Sequence, residues 1–159
     1  MTAPTPAFVH LRSHTEYSVV DGMLRVDDLV AAAAADRQPA LAITDLTNLF
    51  GAVKFYSAAR AKGVQPLLGC DLWLEPEGGA ASDRQPSRLL LLVQNRSGYL
   101  NLCALVSQAW TENVQRQQAW TSWEQLAAHA EGLIALSGAD LGAVGQALLA
   151  GDAARAEAM

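Results

Sequence analysis

The chain has 159 residues, 51% of them hydrophobic, which is enough to bury a sizeable core in one domain or a large piece of one and excludes an intrinsically disordered segment. Its 11 Lys and Arg against 16 Asp and Glu give a net charge of -5, opposite to the basic footprint of a domain that grips nucleic acid, so any DNA binding by this stretch alone is expected to be weak. Cys70 and Cys103 lie in apolar stretches without CxxC spacing and read as buried free thiols of a reducing compartment, and no window approaches the roughly 20 apolar residues of a membrane span. With no basic segment followed by an apolar run at the start, the expectation is a soluble, untargeted, cytoplasmic protein without membrane contact.

In chain order, Phe8-Val9-His10-Leu11 reads as a short strand. Residues 25–35 place Val26, Leu29, Val30 and Ala33 at helical spacing after the turn-prone Asp21-Gly22. The apolar run of residues 40–44 suits a strand covered on both faces, and a helix over residues 49–62 ends at Gly63. Residues 64–74 give a third strand and residues 88–94, with four consecutive leucines, a fourth. Between them residues 75–87, rich in Gly, Ala, Ser and Pro, read as a mobile loop. Helices over residues 97–114 and 123–130, a fifth strand over 132–137 and helical residues 143–150 follow, with another alanine-rich helix from Gly151. Strands alternating with helices predict a mainly parallel α/β sheet or barrel. The last helix has no capping signal and no strand after it, so the barrel is expected to continue beyond Met159.

Parallel α/β folds place their chemistry at strand carboxyl ends, where this chain has His10, Arg12, His14, Asp21, Asp45 and Asp71. Two histidines and three carboxylates converging there suit a divalent-metal cluster that activates water and clamps a phosphate. The ordinary alternative stands beside it: His10 and His14 as hydrogen-bonded strand-end residues, Asp21 as a turn former before Gly22, Asp45 as a loop acceptor or helix cap.

The stretches FVHLRSHTEYSVVDG (residues 8–22) and PALAITDLTNLFGAVKFY (residues 39–56) resemble the polymerase and histidinol phosphatase (PHP) domain that opens bacterial DNA polymerase III alpha subunits. So do GVQPLLGCDLWL, SGYLNLCALVSQAW and EGLIALSG, in the same order, over residues 7–138. The resemblance implies a distorted seven-stranded α/β barrel, of which residues 1–159 would be the N-terminal portion. Metal-binding members of the family have an HxH pair followed by Ser or Thr after strand one, a TDH-G-N block after strand two and a Glu after strand three. Here Arg12 stands at the first His of HxH, Leu46 at the His of TDH, and Asp71, one methylene shorter, at the Glu. A guanidinium is permanently protonated and has no lone pair for a metal, and Leu can only pack. His14 and Asp21 remain as matched ligands, so His10, Arg12, His14, Asp21, Asp45, Leu46 and Asp71 together read as a vestigial metal site, expected to hold no metal. Arg12 pairing with Asp21 or Asp71 would take the place of the lost cations.

The resemblance implies a non-catalytic domain of the replicative polymerase that supports the polymerase fold and docks the proofreading exonuclease (epsilon) subunit. Mg²⁺, the sliding clamp and DNA would be engaged by other parts of the alpha subunit, not by this segment. The alternative is an active metal-dependent phosphoesterase or 3′ to 5′ proofreading exonuclease, against which Arg12 and Leu46 argue; a stand-alone histidinol phosphatase would need the same missing ligands. Elsewhere, His129 reads as a surface or capping residue, and Lys54, Arg60 and Lys62 as a solvated helix face. Among the tryptophans near Gln115, Gln117 and Gln118, core packing is expected for Trp110, and Trp120 is an interface candidate.

Overall fold

The computed structural model describes residues 8–19, 21–77, 85–115 and 117–159. The chain divides into two compact units, one up to Gly69 and one from Cys70 onward, with strand β2 running through the division.

The first unit contains helix α1 (Val26–Ala35), strand β1 (Ala40–Ile43), helix α2 (Ala52–Ala61) and the first half of strand β2 (Gln65–Leu74). Two aspartates in the first turn, Asp27 and Asp28, suit the positive end of the α1 dipole. Val26, Val30 and Ala33 on one face of α1 meet Leu41 and Ile43 of β1, Phe55 and Ala59 of α2, and Val64. This is the helical and strand periodicity read from the sequence, now closed into a core. β1 pairs in parallel with β2 from Ala40 opposite Gln65 to Ile43 opposite Leu68. Gly51 lets α2 start against this layer: a Cβ there would lie 2.9 Å from both the Ile43 Cδ1 and the Tyr17 ring. The strand expected at residues 8–11 does not form. That stretch reaches β1 through the bond from the Ala42 N–H to the His10 carbonyl, with the Thr44 N–H bonding the Ser13 carbonyl just beyond it, and Phe8 is exposed, so no buried face holds it to a strand register.

The second unit builds a sheet from the rest of β2 with β3 (Ser87–Val93), β4 (Val114–Gln115), β5 (Gln118–Thr121) and β6 (Leu133–Leu136), in the order β4-β5-β2-β3-β6. Helices α3 (Arg96–Glu112), α4 (Trp123–Ala128), α5 (Ala143–Leu149) and α6 (Ala153–Ala158) accompany it. The sheet is mixed: β2 and β5 are parallel, whereas β3 with β6 and β4 with β5 are antiparallel. A mainly parallel sheet was the expectation; the antiparallel β3-β6 and β4-β5 pairs both depart from it, and the β4-β5 hairpin, in the segment read only as polar and aromatic, is too short for periodicity to reveal. Of the expected loop at 75–87, residues 78–84 lie outside the described residues, and Ser87 already belongs to β3.

The tryptophan expectations are reversed. Trp120 is 5% exposed because β5 lies between β4 and β2, while Trp110 is 48% exposed. On α3 the buried stripe is Gly98, Leu102, Leu105 and Ala109, and Trp110 is the next residue, about 100° further round the helix. Trp123 donates its indole N–H to the Glu75 carbonyl. His129 is the C-cap of α4, with its ring Nδ1 2.9 Å from the Gln125 carbonyl, in keeping with the capping role. Both cysteines are free; Cys70 is buried, but Cys103 is only half-buried. Among the described residues no helix is long and apolar enough to cross a membrane.

The start of α3 depends on a close backbone approach. Asn95 accepts the Gly98 N–H as N-cap, and a Cβ on Gly98 would lie 1.9 Å from the Gly132 carbonyl oxygen. Gly98→Ala is therefore expected to destabilise the chain by about 2–3 kcal/mol, read as a lower midpoint in urea unfolding with an unchanged slope.

Candidate functional site

The residues after β1 and the turn before α1 are locked together by one carboxylate. Asp45 is 2% exposed and accepts from the Thr15 N–H, from the Thr15 hydroxyl at 2.8 Å and from the Ser18 hydroxyl at 2.7 Å. Ser18 Oγ in turn accepts the Leu46 N–H at 3.0 Å, and the Asn48 amide donates to the Tyr17 and Leu46 carbonyls at 2.9 and 3.0 Å. Thr44 Oγ1 accepts the Ser13 N–H at 2.8 Å. Thr47 takes a left-handed backbone with φ 52°. Val19 at φ 49° is a second β-branched residue held in that region.

This frame presents a cleft of about 620 Å³ lined by His10, Arg12, Ser13, His14, Asp21 and Met23, with Leu24 and Leu29 as an apolar wall. His14 Nδ1 lies 3.0 Å from Asp21 Oδ1; the His14 side chain is 11% exposed and that of Asp21 37%. The structure thus brings His10, Arg12, His14 and Asp21 to one cleft. Asp45 stands beneath as an acceptor of protein donors, and Leu46 is half-buried beside it.

Asp71 lies on β2 in the second unit. It is 1% exposed, with Oδ2 3.2 Å from Nη1 of Arg88, whose side chain is 8% exposed. The Arg88 guanidinium sits 4.0 Å above the Trp73 ring, a cation–π contact that a planar cation suits. Arg88 was missed in the sequence reading, although an arginine opening a run of four leucines on an apolar strand was a signal that a buried carboxylate had to answer it.

Lys54 departs from its expectation. It is not merely part of a solvated face: Nζ lies 3.2 Å from Glu16 and 3.3 Å from Asp27, joining the turn before α1, α1 and α2. Hydrogen bonds to Glu16 first and Asp27 second raise its pKa above the ordinary 10.5. Because the folded value is raised, the stability this group contributes is present below pH 10.5 and is lost as pH rises through the folded value.

The family model for the PHP domain matches residues 10–159, and the chain belongs to the PHP domain family. Relatives similar to it are DNA polymerase III alpha subunits. That of Pseudomonas aeruginosa is 44% identical over 155 residues, covering 98% of this chain and 13% of the relative. That of Vibrio cholerae is 44% identical over 152 residues, 96% and 13%. That of Escherichia coli K12 is 41% identical over 149 residues, 94% and 13%. The chain therefore spans 13% of the length of these relatives. Among solved structures, a protein described as a candidate metal-dependent phosphoesterase from Bifidobacterium adolescentis matches with a TM-score of 0.51 at 19% identity, over 67% of this chain and 34% of its own. The fold is accordingly the mixed α/β fold of PHP-type proteins, present here as part of a barrel.

Two outcomes follow from this geometry. Asp45→Asn, which turns an amide N–H₂ toward groups that donate, is expected to cost about 2–3 kcal/mol, measured by chemical denaturation. Lys54→Met is expected to lower the thermal midpoint at neutral pH, with the difference from wild type vanishing once pH exceeds the raised Lys54 pKa.

Proposed function

We propose that this chain is the N-terminal part of the catalytic alpha subunit of a bacterial replicative DNA polymerase, where it acts as a non-catalytic scaffold. In this reading it supports the polymerase fold and docks the proofreading exonuclease (epsilon) subunit. Nucleotidyl transfer with carboxylate-held Mg²⁺, and engagement of the sliding clamp and DNA, belong to other parts of a cytoplasmic parent protein. Residues 1–159 are the opening portion of a barrel that continues further along the parent polypeptide. In support, β6 (Leu-Ile-Ala-Leu) is apolar along its length, yet Ile134 is 43% and Leu136 37% exposed.

The observation that carries the scaffold reading is the donor set. The PHP site takes a metal group, and the residues present do not fit one. Arg12 and Leu46 have no lone pair to give, both Asp45 oxygens already accept protein donors, and Asp71 is paired with Arg88. Among the described residues no three His, Cys, Asp or Glu side chains are grouped as a metal site. The second reading, an active metal-dependent phosphoesterase or 3′ to 5′ exonuclease, has in its favour the His14–Asp21 pair, which keeps two family ligands side by side in the cleft.

Metal content of the purified full-length polypeptide, measured together with a primer-end hydrolysis assay in added Zn²⁺ or Mn²⁺, separates the two. The expected result is substoichiometric metal and no hydrolysis by the polypeptide alone, with primer extension intact. Stoichiometric metal with primer-end hydrolysis that Asp21→Asn abolishes would overturn the scaffold reading.

A further inference from the structure

Helix α2 has two faces, and the fold accounts for one of them. Ala52, Phe55 and Ala59 are buried toward the first unit's interior. On the outer side Phe50 is 75%, Val53 79% and Tyr56 51% exposed, and intervals of three residues keep them along one side of the helix. A single exposed apolar residue is ordinary, whereas three large ones in a row form a patch that the fold itself does not use. The patch is held in shape before anything meets it. The Phe50 N–H donates to Asn48 Oδ1 at 3.1 Å, the Asn48 amide bonds the Tyr17 and Leu46 carbonyls, and a Cβ on Gly51 would press on the Tyr17 ring and Ile43. A preformed surface gives up little conformational freedom on binding.

Charge narrows what this surface fits. Residues 46–69 contain Lys54, Arg60 and Lys62 and no Asp or Glu, in a chain of net charge -5. Lys54 is engaged by Glu16 and Asp27, and Arg60 and Lys62 stand exposed at the C-terminal end of the patch. Single-stranded nucleic acid is bound by aromatic rings stacked along a cationic groove, but the centre of this patch is the aliphatic Val53, on a convex helix face. Apolar anchors with charge at the rim are the composition of a protein interface. We infer that the outer face of α2 is a docking surface for a protein partner that presents apolar side chains to Phe50, Val53 and Tyr56 and carboxylates to Arg60 and Lys62. This goes beyond the docking role proposed above, which names a partner and no surface.

The test places the photo-crosslinker p-benzoylphenylalanine at position 53 of the full-length polypeptide, irradiates the purified replicative complex and sequences the attached peptide by mass spectrometry. The expected product is a protein segment with two or more large apolar residues flanked by Asp or Glu. Affinity for that protein, measured by calorimetry, should fall at least about tenfold with Val53→Glu, and again with Arg60→Glu combined with Lys62→Glu, while Arg60→Lys binds like wild type. These side chains are exposed, so the urea midpoints of the variants should match the wild type, which separates lost docking from lost folding. No attached peptide, a segment without carboxylates, or attachment to nucleic acid, to a second copy or to another part of the same polypeptide overturns the inference. A partner whose affinity the variants leave unchanged overturns it as well. If the attached protein is not the exonuclease subunit, the surface stands and the choice of partner in the proposed function falls. If the exonuclease subunit binds the full-length polypeptide and nothing attaches at position 53, the surface falls and the docking role stands.

Discussion

Asp45 leaves the carboxyl end of β1 carrying a charge below the surface, and the way that charge is satisfied organises the N-terminal unit. Three donors converge on it, all from residues 15–18, so the turn that bears His14 and leads to Asp21 cannot shift without breaking a charge-assisted bond. Ser18 passes the constraint back to the Leu46 N–H, and Asn48 ties the Tyr17 carbonyl to the same place. The left-handed backbone at Thr47 is flanked by Leu46 and Asn48, both held by this network. Asp45 thus acts as a strut beneath the cleft, held by donors from the turn above it.

Much of this was legible from residue patterns, for identifiable reasons. Helix α1, strand β2 and helix α3 came out within two residues of the reading, because each is long enough for its apolar period to repeat. The segment at 8–11 has the composition of a strand but is tied to β1 by the His10 carbonyl rather than by a ladder, and composition carries no information about partners. The β4-β5 hairpin is built from strands of two and four residues, too short to show a period. The reversal of Trp110 and Trp120 came from one helical position: Ala109 faces inward and Trp110, next in the chain, does not.

The candidate site was legible in its composition and not in its pairings. His10, Arg12, His14 and Asp21 do share a cleft, as residues two to eleven apart around one turn readily do. The Asp71–Arg88 pair spans 17 residues and two strands, and only the sheet order makes them neighbours. Electrostatically the two halves of the story are alike. Where the family's pattern implies cations at strand ends, the partners of Asp45 and Asp71 include hydroxyls, a backbone N–H and an arginine.

The core of the first unit draws all its buried members from residues 26–64, and β1 meets β2 across only 25 positions. Closing such short loops costs little chain entropy, and contacts of this range form quickly. The side chains of Leu41, Ile43 and Phe55 are thus covered by contacts that need no partner from outside this short stretch.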